Sequence, residues 1–200
     1  VGKAFGIVKL RFANTECDFS LPRRESRVGV KHKDFDVVPD PTMTPKEAAA
    51  RRDFTINSLA WDWRNNHVLD YFGGAEDIFN KVLRHTTEHF SEDPLRVLRG
   101  FQFISRFGLT PSESLIGLCR KLSTEFPTIP TERIWMEWEK WVKGPYRGAA
   151  LNFLHQSGWL QNWPELDGLV GLQQDSIWHP EGDVWVHTLH CVNHIREITA

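Results

Sequence analysis

The sequence predicts an α+β protein in which a mixed α/β head is followed by an all-helical body. Up to about residue 71 the apolar residues fall in short, strand-like runs, whereas after about residue 88 their spacing is helical throughout. The 200 residues are 40% hydrophobic and 25% charged, which is ordinary for a globular chain. No apolar run approaches the roughly 20 residues that span a bilayer, which excludes a membrane-spanning protein. The average composition excludes collagen-like, disulfide-rich and disordered classes.

The charge is unevenly distributed along the chain. The formal total is −2, but residues 1–106 hold 17 Lys and Arg against 15 Asp and Glu, and residues 107–200 hold 7 against 11. Three widely spaced cysteines match no zinc-binding pattern, which favours a reducing, cytoplasmic compartment. The start at Val1, without Met, predicts that the chain is part of a longer protein.

The head is expected to contain four strands, a long loop and one short helix. Thr44 and Glu47 form a capping-box pattern that opens the helix, with Pro45 at its first position. The segment from Pro22 to Pro41 shows no periodicity and is predicted to be a loop. Strands are expected at residues 6–13, 16–20, 56–63 and 67–71. The first two are expected to be joined by a turn at Asn14-Thr15 and the last two by a turn at Asn65-Asn66.

The body is expected to be helical. Ser91 is predicted to cap a helix that runs through Phe107 and ends at Gly108. Further helices are expected over residues 112–122, 131–143, 145–156 and 183–199. Trp135, Trp138 and Trp141 recur at helical spacing, which favours a place in the core over a base-stacking platform.

Two stretches have residues suited to nucleotide binding. Residues 51–58 read RRDFTINS and place two arginines and one carboxylate where a helix meets a strand. Residues 91–102 read SEDPLRVLRGFQ, with Asp93 near Arg96 and with Arg99 one turn further along. Arginine suits phosphate, and an acceptor beside a donor can read the edge of a base. A surface ion pair and a solvated helix face are the alternative interpretations.

A third stretch, residues 179–194, reads HPEGDVWVHTLHCVNH and repeats histidine along a predicted helix. His187, His190 and His194 share one face, where imidazoles could bind a metal. The alternative is a polar helix face packed near tryptophan.

Taken together, these motifs resemble the class II, bacterial-type CCA-adding tRNA nucleotidyltransferases and poly(A) polymerases. The resemblance rests on RRDFTIN at 51–57, Gly73-Gly74 followed by Asp77, EDPLRVLR at 92–99, and TERI at 131–134 followed by Glu137. It implies a nucleotidyltransferase-type palm sheet, of which this chain carries a remnant, followed by a helical neck and body. The implied activity is template-independent addition of CCA to tRNA 3′ ends from CTP and ATP.

The resemblance also implies roles for particular residues. Arg52 matches an arginine that contacts the incoming nucleotide, and Asp53 a residue beside its ribose. Asp93 and Arg96 match the pair that reads the Watson–Crick edge of CTP and ATP, and Arg99 a further nucleotide-binding arginine. Many family members carry arginine at the position of Gln102, so one phosphate contact is expected to be weaker here.

The family's Mg²⁺-binding Asp-x-Asp is not found before Asp18, so we expect this chain by itself to be inactive. Asp34 and Asp36 have that spacing but lie in the predicted loop. Asp18 matches a possible third catalytic carboxylate, with a solvent-facing strand residue as the alternative. The alternative functions are a poly(A) polymerase, a CC- or A-adding specialist, an HD-domain phosphohydrolase and a non-catalytic RNA-binding module.

Three regions are expected from the resemblance: a partial nucleotidyltransferase head at 1–88, a helical neck and body that binds nucleotide and RNA at 89–172, and the start of a helical HD-type domain at 173–200. His187 matches the first ligand of that domain's divalent metal.

Overall fold

The computed structural model describes residues 7–13, 15–27 and 35–195, and its first part consists of β-hairpins. Strands β1 (Ile7–Phe12) and β2 (Thr15–Ser20) confirm the first two predicted strands and are antiparallel. Of the predicted turn, Asn14 lies outside the described residues, and the assignment of Thr15 to the turn was wrong because Thr15 is the first residue of β2. Strands β3 (Arg23–Arg27) and β4 (Phe35–Pro39) are also antiparallel. The prediction of a loop over 22–41 was therefore wrong at both of its ends.

The rest of the head combines short helices with short strands. Helix α1 (Pro45–Ala50) begins at the predicted capping box, in which Thr44 and Glu47 bond reciprocally. The antiparallel pair β5 (Ala60–Asp62) and β6 (His67–Leu69) is shorter than predicted, because residues 55–57 form a 3-10 turn. Helix α2 (Gly74–Phe79) and strand β7 (Val82–Leu83) follow.

Six helices follow the head in the described residues, and a two-residue strand, β8 (Thr110–Pro111), pairs in parallel with β7. Short 3-10 turns at 88–92, 123–128 and 160–162 separate some of the helices. The helices are α3 (Leu95–Phe107), α4 (Glu113–Lys121), α5 (Thr131–Val142), α6 (Arg147–Gln156), α7 (Pro164–Asp167) and α8 (Val184–His194).

Two helix ends test the predicted caps. Helix α3 begins at Leu95 and not after Ser91, because residues 88–92 form a 3-10 turn and Asp93 is extended. Its predicted end is confirmed, since Gly108 adopts a left-handed conformation with φ of 64°. Helix α8 is capped by Asp183, and residues 196–199 of its predicted extent lie outside the described residues.

The core is built around α3, which packs against α5 and α6. Phe101 is fully buried and lies against Trp138 and Trp141, with ring centroids 5.0 and 5.4 Å away. The predicted core role of these two tryptophans is confirmed, whereas Trp135 is 65% exposed. Aromatic rings packed in this way fix the face of α3 that is turned inward, so its arginines emerge on the other side.

The observed architecture, four two-stranded sheets and many helices in the described residues, confirms the α+β class. No helix among these residues has the length and apolar content needed to cross a membrane.

Candidate nucleotide-binding site

Backbone pairing joins the first predicted nucleotide-binding motif, at 51–58, to the segment that precedes the second. The Thr55 amide donates to the carbonyl of Arg84 over 3.0 Å, and the Thr86 amide donates to the carbonyl of Asp53 over 3.2 Å. The Thr87 hydroxyl reaches the Ala50 carbonyl at 2.7 Å. The end of α1 is therefore fixed beside the segment that leads into α3.

Asp53 and Arg99 form the inner ion pair of the site. The Arg99 Nε donates to Asp53 Oδ2 over 2.7 Å, and the Asp53 side chain is 8% exposed against 35% for Arg99. The other carboxylate oxygen accepts from the Phe54 amide at 3.0 Å and from Asn57 Nδ2 at 3.2 Å. Asp53 is thus a fixed acceptor whose charge is balanced by an arginine that also reaches solvent.

Asp93 and Arg96 lie together at the start of α3. Asp93 Oδ1 accepts from the Leu95 amide at 3.0 Å, so this carboxylate binds the beginning of the helix that Ser91 was predicted to cap. Arg96 donates from Nη2 to the Arg51 carbonyl over 3.0 Å and from Nη1 to the His89 carbonyl. Both side chains are therefore oriented by the backbone around them.

Arg133 of α5 is a member of the site that the sequence-based assignment of roles missed. Its Nη2 lies 3.0 Å from Asp93 Oδ2, and the two side chains are 33% and 23% exposed. The signal was present, because Arg133 belongs to the TERI motif at 131–134. The motif gave no indication that this arginine pairs with Asp93, since 40 residues separate them.

The two neighbouring arginines at the end of α1 differ. Arg51 donates to Glu92 Oε2 over 2.8 Å, and the same glutamate accepts from His89 Nδ1 at 2.7 Å. Arg52 is exposed, and its guanidinium has neither a hydrogen bond nor an ion pair within the described part of the chain. Arg52 is thus the arginine of this motif most available to an anion. We call Arg52, Asp53, Asp93, Arg96, Arg99 and Arg133 the arginine–carboxylate cluster.

The glycine pair at 73–74 has a structural role beside this cluster. A Cβ at Gly74 would lie 2.2 Å from the carbonyl oxygen of Thr55, so only glycine permits this approach of α2 to the 3-10 turn. The Thr55 hydroxyl donates to Asp77, whose carboxylate also pairs with Arg84 at 2.9 Å. This buried network supports the segment that carries Asp53.

The remaining predicted site residues lie apart from the cluster. Asp18 is on the exposed β1–β2 hairpin, where its carboxylate is 3.8 Å from Lys9 Nζ, and among the described residues no hydrogen bond or ion pair joins it to the cluster. Gln102 is 2% exposed and accepts from Arg106 Nη1 at 3.2 Å. His187 lies on α8 with His179 and Glu181.

Comparison with known proteins shows which proteins this chain is similar to. Residues 1–84 match the family of the poly A polymerase head domain. The Multifunctional CCA protein of Vibrio parahaemolyticus serotype O3:K6 is 38% identical over 195 residues, which cover 94% of this chain and 47% of that protein. The protein of the same name from Xanthomonas campestris pv. campestris is 38% identical over 176 residues, 85% of this chain and 43% of its own length.

Among solved structures, the Bacillus stearothermophilus CCA-adding enzyme in complex with CTP is 29% identical to this chain, with a TM-score of 0.65. The match covers 86% of this chain and 40% of that enzyme. A CCA-adding enzyme with ATP has the same fold at 22% identity and a TM-score of 0.64.

The head-domain match over residues 1–84 and the shared fold make this chain similar to the nucleotidyltransferases as a class. Within this class the resemblance to the CCA-adding enzymes and poly(A) polymerases is confirmed. The chain spans about half the length of the curated relatives it matches, 47% in the case of the Vibrio parahaemolyticus protein.

Proposed function

We propose that this chain is the nucleotide-selecting part of a tRNA nucleotidyltransferase that builds the 3′-terminal CCA from CTP and ATP. The observation that carries the proposal is the fixed placement of Asp93 beside Arg96 at the start of α3, next to the Asp53–Arg99 pair. The similarity to a CCA-adding enzyme that was solved with CTP supports it.

One carboxylate and one guanidinium suffice to distinguish C and A from G and U. Cytosine and adenine both present an amino group as donor next to a ring nitrogen acceptor, and guanine and uracil present the reverse. Asp93 would accept from the amino group while Arg96 would donate to the ring nitrogen. A protein pair of this kind selects the base without a nucleic-acid template.

The guanidinium of Arg96 has more donors than the contacts described above use. A guanidinium has five N–H donors, and Arg96 donates through one N–H on each of its two terminal nitrogens to the carbonyls of His89 and Arg51. Asp93 accepts from the Leu95 amide with one oxygen and from Arg133 with the other. These contacts fix the orientation of both side chains, and the Asp93 carboxylate together with the Arg96 guanidinium would meet the base.

Arg52 would bind the triphosphate, since its guanidinium is exposed and suits phosphate oxygens. Arg99 would contribute a second positive charge, and Asp53 would face the ribose.

The Mg²⁺ ions that the family implies do not fit the carboxylates of the cluster. Asp53 is paired with Arg99 and Asp93 with Arg133, so each has a cation of the protein as its partner. Among the described residues, the one group of three potential metal ligands lies at His179, Glu181 and His187. We therefore propose Mg²⁺ for the intact protein with ligands outside the cluster, and assign no step to it here.

The regional organisation and the location also remain proposals. We assign 1–88 to the head, 89–172 to the neck and body, and 173–200 to the start of an HD-type domain in which His187 would be the first ligand. The substrates would be the tRNA 3′ end, CTP and ATP, in the cytoplasm.

The test is nucleotide addition by the full-length gene product. A tRNA lacking CCA is supplied with each of the four nucleotides, and addition of C, C and then A is expected. Asp93→Ala and Arg96→Ala should each reduce the preference for CTP over UTP by at least about fivefold, since one good base contact is worth about 1–3 kcal/mol.

Arg106→Ala is the matched control, because Arg106 lies on α3 but contacts Gln102. Selectivity that survives both Asp93→Ala and Arg96→Ala would contradict the base-reading role. Exclusive addition of A residues in a long tail would indicate a poly(A) polymerase and not a CCA-adding enzyme. Addition of only C or of only a single A would indicate a CC- or A-adding specialist.

A further inference from the structure

Outside the arginine–carboxylate cluster, the turn before α8 brings two histidines and a glutamate together. His179 and Glu181 lie in the turn, and His187 lies in the second turn of α8. One potential ligand atom from each residue lies within 4.8 Å of the other two. We call these three residues the His–Glu–His cluster.

Both imidazoles are directed at one carboxylate oxygen. His187 Nδ1 lies 2.5 Å and His179 Nδ1 lies 3.3 Å from Glu181 Oε1. The two rings are nearly perpendicular, at 84°, with centroids 4.9 Å apart. The side chains are 41%, 37% and 25% exposed for His187, His179 and Glu181, so an ion from solvent can reach them.

Hydrogen bonds of the surrounding turn hold the cluster in place. Asp183 caps α8 by accepting from the Val186 amide at 2.9 Å, and its second oxygen accepts from the Gly171 amide at 2.7 Å. The Gly182 carbonyl accepts from Gln174 at 3.1 Å. The His179 amide donates to the Asp175 carbonyl over 2.8 Å. These bonds lie on both sides of Glu181 and fix the backbone that carries the three side chains.

The donor set indicates the kind of ion. Two imidazole nitrogens and one carboxylate oxygen suit Zn²⁺, Co²⁺ or Ni²⁺, whereas Mg²⁺ and Ca²⁺ prefer oxygen ligands alone. Three protein ligands leave a coordination position for water.

We propose that His179, Glu181 and His187 together bind a divalent transition-metal ion. The proposal adds His179 and Glu181 to the single ligand expected at His187, and it is independent of nucleotide addition. Cys191 Sγ lies 3.3 Å from His187 Nε2, on the side of the ring opposite to Glu181, so we do not include it among the ligands.

The experiment measures metal binding by the 200-residue chain without a histidine tag. Zn²⁺ binding is followed by calorimetry after chelator treatment, and Co²⁺ binding by its visible absorption. One ion per chain is expected. His179→Ala and Glu181→Gln should each weaken binding by at least about tenfold, since even supporting residues of metal sites have effects of that size.

Two controls separate the cluster from chance binding by surface histidines. His190→Ala and His194→Ala remove exposed histidines of α8 that lie outside the cluster, and both should leave the affinity unchanged. Circular dichroism checks that each variant is folded, and Glu181→Gln retains the size of the side chain.

The proposal is overturned if the wild-type chain binds neither ion. It is equally overturned if His190→Ala weakens binding as much as His179→Ala does. A loss confined to His187→Ala, with His179→Ala and Glu181→Gln unaffected, would place the ion on other ligands. None of these results depends on nucleotide addition, so failure of the proposed function leaves this test intact.

Discussion

At the scale of single residues, the candidate site is a set of paired charges with one exposed cation. Asp53 and Asp93 each bind an arginine that is distant in sequence, and Arg96 binds two backbone carbonyls. Such pairing keeps donors and acceptors in position before a ligand arrives, which lowers the cost of ordering them on binding. Arg52, by contrast, is exposed and free to follow a flexible triphosphate.

The Asp53–Arg99 pair should contribute to stability as well as to binding. Arg99→Ala is expected to lower the free energy of unfolding by about 2 kcal/mol, because a nearly buried carboxylate loses its charged partner. Urea denaturation measures this, with Arg52→Ala as a control of small effect, because the Arg52 side chain is exposed.

A double variant tests the electrostatic cause. Asp53→Asn removes the buried charge, and its amide oxygen can still accept from Phe54 and Asn57. Adding Asp53→Asn to Arg99→Ala should therefore recover part of the lost stability. Simple addition of two destabilising effects would contradict the explanation.

At the scale of elements, helix ends and close approaches position the cluster. The beginning of α3 matters most, because the extended residue Asp93 precedes the helix and binds its first turn. The approach of α2 at Gly74 supports the 3-10 turn that follows Asp53.

Two serines at the starts of predicted helices should behave differently. Ser112→Ala should cost about 1 kcal/mol, because its hydroxyl accepts from the Leu115 amide and caps α4. Ser91→Ala should change stability by less than about 0.5 kcal/mol, since Ser91 lies in a 3-10 turn and does not cap α3. Thermal and urea unfolding of the two variants measure the difference, and equal losses would contradict the observed start of α3.

Two glycines in helices should respond to alanine with opposite signs. Gly74→Ala should destabilise the protein by about 1–3 kcal/mol, because its Cβ would collide with the backbone of Thr55. Gly117→Ala, in the middle of α4, should stabilise it by up to about 1 kcal/mol, since nothing lies within 4 Å of the added carbon. Urea denaturation of both variants is the measurement; destabilisation by Gly117→Ala would be the contrary result.

At the scale of the whole molecule, one helix links the site to the core. Helix α3 carries Arg96 and Arg99 on one side and buries Leu98 and Phe101 on the other. The total charge of −2 conceals the basic excess of residues 1–106, which include most of the cluster. A near-neutral total is therefore no argument against nucleotide binding.

Removing the central aromatic ring should affect the whole fold. Phe101→Ala is expected to lower the free energy of unfolding by about 4 kcal/mol, because the ring is fully buried against Trp138 and Trp141. Tryptophan fluorescence during urea denaturation reports on the same contact. Phe79→Ala, at a residue that is 87% exposed, should have an effect near zero and serves as the control.

Much of the helical body could be predicted from sequence because its signals are local. Apolar spacing, the caps at Ser112 and Asp183 and the left-handed Gly108 each act within a few residues. The β3–β4 hairpin could not be predicted in this way. Strand β3 reads RRESR, without an apolar residue, and its partner strand is eight or more residues away.

The sequence by itself determined the α+β class, the helices of the body and the motifs that resemble a nucleotidyltransferase. Only the tertiary structure decided the partners of the motif residues: Arg99 with Asp53, Arg133 with Asp93, and His179 with Glu181 and His187. The first two pairs join residues 46 and 40 positions apart. Periodicity and capping patterns report contacts within one or two helical turns, so such distant pairs are set by how the elements pack.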